Sequence, residues 1–140
     1  MILHCNFEEL HALEAGAELI LDPYSAETGG VAAPVKAVTQ VAMLTPRLKQ
    51  SLSITTLEDQ RLVRRAVDAI CTALHERMDE KVLEYHPAHE EAVALYFDYA
   101  HAFGVLRRLD AIGSEMTGMI ELMTGEPATD EAARRVTFPD

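Results

Sequence analysis

The sequence predicts an all-α chain: a helical bundle built on a long antiparallel helical hairpin, with room for a minor β-element near residues 1–5 and 47–54. Three observations point there. Alanine supplies 20 positions and leucine 16, while tryptophan is absent, a balance that favours helices over sheets. Residues 88 to 123 carry apolar side chains in an unbroken 4–3 alternation, over about five heptads. Helix-start signals recur just before the periodic stretches. The 140 residues read as one domain, 1–140, with a hairpin core at 56–124. Helices at 7–21 and 34–45 precede the hairpin, and a short helix at 129–136 follows it.

Each element has a local reason. Residues 2 to 5 alternate as a short strand or an extended lead-in. Asn6, with Glu9 three residues on, forms a capping box. The helix it opens places Phe7, Leu10, Leu13, Ala17 and Ile20 on one face. Residues 22 to 33 are rich in turn formers and small residues, which makes them a loop. Pro34 suits the first turn of a second helix, Val35, Val38, Val41 or Ala42, and Leu44 give it an apolar stripe, and Pro46 kinks or stops it. Thr55 to Glu58 form another cap. The third helix then turns Val63, Ala66, Val67, Ile70, Leu74 and Met78 inward as far as about Tyr85. His86-Pro87 breaks the chain, and Pro87 sits at the first position of the fourth helix.

The fourth helix shows the 4–3 pattern through Ala92, Leu95, Tyr99, Ala102, Leu106, Leu109, Gly113, Met116, Ile120 and Met123. Gly113-Ser114 is the one place where it can bend, and the sequence leaves its continuity open. Gly125 to Pro127 end it. Thr129 caps the last helix, whose Asp130, Glu131, Arg134 and Arg135 complement the helix dipole. The tail through Phe138 is expected to dock on the body or on a partner.

Composition excludes several function classes. With 23 acidic and 12 basic residues the net charge is −11, which repels nucleic acid and anionic lipid. Two cysteines make neither a disulfide framework nor a four-cysteine zinc site. No uncharged apolar run approaches the ~18 residues of a spanning helix, and Glu8 and Glu9 argue against a signal peptide. Phosphate loops, nucleophile elbows and metalloprotease motifs are absent from the sequence. These points lead to the expectation of a cytoplasmic protein.

The hairpin brings separated residues level, because positions equidistant from residue 86 lie at the same height. Cys71 and His75 on one helix then come level with His101 and Asp98 on the other. Thiolate, imidazole and carboxylate are zinc or iron ligands, so this level is the metal-binding alternative, with an enzyme attached to it. A hydrogen-bonded Asp–His pair beside a small buried thiol is the simpler reading. Arg61, Arg64, Arg65, Arg107 and Arg108 form a second level, a band for an anion or an acidic partner. Asp68 and Asp110 stand close enough to neutralise much of it. At the hairpin tip, His86 and His89 offer weak metal or pH-sensing chemistry, against the plainer reading of a solvated helix end.

From residue 92 to 106 the fourth helix is apolar nearly all round. Such a helix is central to a bundle or part of an oligomer interface. Tyr96, Phe97, Phe103, Val105, Ile112 and Met119 lie beside the heptad seam and are the interface candidates. The leading expectation is a non-catalytic interaction or assembly module without a cofactor. Its unit is a homodimer in which two hairpins complete a four-helix core.

Overall fold

A computed structural model describes residues 1–22, 33–85 and 89–140. Residues 23–32, expected as a loop, and residues 86–88, which hold His86 and Pro87, lie outside the described residues. The architecture is an all-α bundle with a small two-stranded sheet.

Strand β1 (Ile2–His4) pairs antiparallel with β2 (Ser51–Ser53), with Leu3 opposite Leu52. Only these central side chains are buried, as period-two alternation requires. The minor β-element expected from the sequence is therefore present.

Helix α1 (Phe7–Leu21) begins at the Asn6 capping box. The Asn6 carboxamide accepts from the Glu9 N–H at 2.8 Å, and Glu9 Oε1 accepts from the Asn6 N–H at 2.9 Å. Ala12, Leu13, Gly16, Ala17 and Ile20 are buried. Phe7 corrects the expected inward face. It is exposed and stacks on His11, with ring centroids 6.4 Å apart, because the first helical residue precedes the turn that meets the core. Helix α2 (Val35–Leu44) buries Val41 and Leu44, leaves Val35 of the expected stripe exposed at its first position, and runs on into a 3₁₀ turn, Thr45–Arg47, that contains Pro46. The Arg47 guanidinium then grips Asp59 with both terminal nitrogens, at 2.7 and 2.8 Å. This bidentate pair ties the end of α2 to the next helix start.

Helices α3 (Leu57–Glu84) and α4 (Glu90–Thr124) pack along each other as the expected antiparallel hairpin. Their cross-pairs follow the level rule. Lys81 Nζ meets Glu91 at 3.0 Å, His75 lies edge-on to Tyr99 with centroids 5.3 Å apart, and Arg64 Nε meets Asp110 at 2.6 Å. α4 runs unbroken through Gly113. The core is one cluster that includes Leu13, Val41, Val67, Ile70, Leu74, Leu109, Met116 and Ile120. Met123, expected in the seam, is exposed in the last turn.

Gly125 ends α4 in the left-handed region at φ 69°, which glycine alone enters without cost. Helix α5 (Asp130–Arg134) follows its Thr129 cap. Val136 and Phe138 then return to the body. The Phe138 N–H donates to Thr55 O at 2.7 Å, and both side chains are buried.

Candidate functional site

The polar residues that the hairpin makes level do not converge. Cys71 and His75 turn toward Tyr99 and Phe103, along an open groove between α3 and α4. The Cys71 thiol is buried, and that burial, with the Asp68 carboxylate adding to it, pushes its pKa up to about 12. It is a protonated packing group rather than a thiolate ligand. Asp98 lies on the other flank of α4, in the field of His11 on α1 and of His101 beside it. His101 donates from Nδ1 to the Phe97 carbonyl, 2.7 Å away. Among the described residues no three His, Cys, Asp or Glu side chains are grouped as a metal ion would need. The level set their height along the hairpin correctly but not their direction around each helix.

The arginine band also disperses. Arg64 is held by Asp110, Arg61 by Asp130 at 3.0 Å, and Arg108 by Glu9 and by the His4 carbonyl at 2.6 Å. Arg65 instead lines a cleft of about 340 Å³ together with Arg61 and Arg134 of α5. At the hairpin tip His89 acts as the α4 cap, accepting from the Glu91 N–H at 3.2 Å, and stacks on Tyr85.

What remains is the outer face of α4. An α-helix turns 100° per residue. Ala102, Leu109 and Ile120 therefore mark its buried side, and Val93, Ala100, Gly104 and Ala111 mark the opposite side. On that opposite side Val93, Tyr96, Phe97, Ala100 and Phe103 are exposed side by side. Tyr96 and Phe97 are 56% and 57% exposed, well outside the usual burial of aromatics. Gly104 sits among them, and a Cβ placed there meets nothing within 4 Å. A mid-helix glycine costs about 1 kcal/mol against alanine, and no contact among the described residues calls for it. Glu90 and Arg107 stand at the two ends of the patch, with no hydrogen bond or ion pair among the described residues.

Of the six interface candidates, Tyr96, Phe97 and Phe103 stand on this surface. Val105 does not. It is fully buried beside Leu13, Val63 and Val67 and belongs to the core, because the α1 crossing covers that flank of α4. Ile112 packs partly buried against the same core, and Met119 is exposed on a different flank, beyond the patch. Ala100 and Gly104 were missed. The signal for Gly104 was available: a glycine inside a strong heptad helix, off the seam.

Among the described residues no helix is long and apolar enough to cross a membrane. No protein-family model, no curated protein and no solved structure matches this chain.

Proposed function

We propose that this chain is a non-catalytic interaction or assembly module that works as a homo-oligomer, a dimer, through the outer face of α4. The observation that carries this reading is the contiguous exposed patch of Val93, Tyr96, Phe97, Ala100 and Phe103. A patch of this kind marks an interaction surface, and its aromatics are the residue types that anchor interfaces. The acidic charge of −11 supports solubility and keeps nucleic acid and anionic lipid from competing for the patch. The unreactive Cys71 thiol and the dispersed polar level favour this reading over a catalytic one.

Light scattering on the eluted full chain tests it. The expected result is a species of twice the 15.5 kDa chain mass. Phe97→Glu should return it to the single mass while the chain stays folded by circular dichroism, since Phe97 is exposed and not part of the core. A wild-type protein that stays at the single mass up to about millimolar concentration, on the scale of weak association, overturns the proposal.

A further inference from the structure

We propose that two copies meet antiparallel across this face, about a two-fold axis that passes between the two α4 helices at the level between Asp98 and Tyr99, with Glu90 of each copy against Arg107 of the other. The inference rests on the self-association proposed above and adds the partner's orientation and register.

The argument starts from what the face presents. Its centre line runs through Val93, Ala100, Gly104 and Ala111, directly opposite the buried side. Large and small residues are segregated along it: Val93 and Phe97 toward the start of α4, Ala100 and Gly104 toward the middle. A parallel pair would stack Phe97 on Phe97 and Gly104 on Gly104, leaving one end overfilled and the other hollow. It would also set Glu90 against Glu90 and Arg107 against Arg107.

Antiparallel pairing about the stated axis reverses each of these faults. Phe97 of one copy lies over Ala100 of the other, and Val93 lies over Gly104, so each bulky side chain fills the space above a small one. The bare Gly104 position, where a Cβ would meet nothing within 4 Å among the described residues, becomes the space that receives Val93 of the other copy. At both ends Glu90 meets Arg107. Neither has a partner among the described residues of its own chain, so no existing pair is broken. Self-complementarity of this kind is what a closed two-fold interface requires. It also answers the mutual repulsion of two acidic chains, because the cation and the anion of the face are placed to neutralise each other.

Sedimentation of four full-length proteins decides it: wild type, Glu90→Arg, Arg107→Glu and the doubly reversed variant. Each dimer holds two such pairs, so each single reversal turns two attractions into two repulsions. A single reversal should weaken the dimer about tenfold, and the double reversal should recover to within about threefold of wild type. Gly104→Leu should weaken it by at least about a hundredfold while the circular dichroism melt shows a folded monomer. A wild type that never dimerises overturns the self-association itself, and this inference with it. A wild type that dimerises while the reversals have no effect, or fail to compensate, overturns the register alone. A Gly104→Leu variant that dimerises as wild type does the same.

Discussion

Gln60 and Gly113 show how one side chain decides whether a glycine is a defect. Gln60 is a buried polar residue of α3, and its carboxamide donates to the Leu109 carbonyl of α4 at 2.8 Å. A Cβ on Gly113 would come within 2.6 Å of that same nitrogen. The glycine is therefore the space in which the buried amide is satisfied. Gly118, five residues on in the same helix, faces open space. The same substitution should act with opposite sign at the two positions. Gly113→Ala is expected to destabilise by about 1–3 kcal/mol through overpacking and loss of the Gln60 bond. Gly118→Ala should stabilise by about 0.5–1 kcal/mol through helix propensity. Urea denaturation of both variants checks the pair, and a shared sign would refute the account. Helix propensity alone penalises the two glycines equally, and the sequence singles out Gly113 as a place to bend rather than a place to pack. What separates them is a glutamine more than fifty positions away for one and solvent for the other, which no local pattern encodes.

At the scale of the element, α4 is one helix with two working sides, and its flanks hold the polar groups. Asp98 lies on the α1 flank. Burial there raises its pKa, with His11 and His101 pulling the other way. The folded chain therefore holds the Asp98 proton more tightly than the unfolded chain does. The cost of its charge is absent below the unfolded value near 3.8. It grows as pH rises through the window between that value and the raised folded one, and it stays in force above that. Asp98→Asn is expected to be the more stable protein at neutral pH and to lose that advantage at pH 3, as thermal melts at both pH values would show. A wild type equal to Asp98→Asn at pH 7 would contradict the sign. Elements of this kind are largely legible beforehand. The Asn6 box and the Thr129 cap are local signals found where the sequence puts them, whereas the third helix is capped one residue later than the Thr55–Glu58 box implies, by Thr56 accepting from the Asp59 N–H, and the heptad seam is buried at Ile120 but not at Met123. Height along the hairpin is legible too, as Lys81–Glu91 shows. Direction around the helix is not, because a residue on the flank faces core or solvent according to what crosses there. The α1 crossing turned Val105 into core and separated Asp98 and His101 from Cys71 and His75.

Across the whole molecule, segments far apart in sequence close on each other at one end of the bundle. β1 pairs with β2, Ile54 donates its N–H to Met1 O at 2.8 Å, and Phe138 bonds to Thr55. Phe138 is nearly fully buried in the common core, so the tail is part of the packing and not an appendage. Phe138→Ala should cost about 3–5 kcal/mol of stability, on the scale of a deleted core aromatic. A change below about 1 kcal/mol in chemical denaturation would show that the tail is dispensable. The order of assembly follows from this closure. The α3–α4 hairpin joins neighbours in sequence and has a short loop to close, whereas the strand pair and the tail must wait for most of the chain to be in place. The clasp around Thr55 is then the last part to form and the first to open. Phe138→Ala should speed unfolding while leaving the refolding rate nearly unchanged.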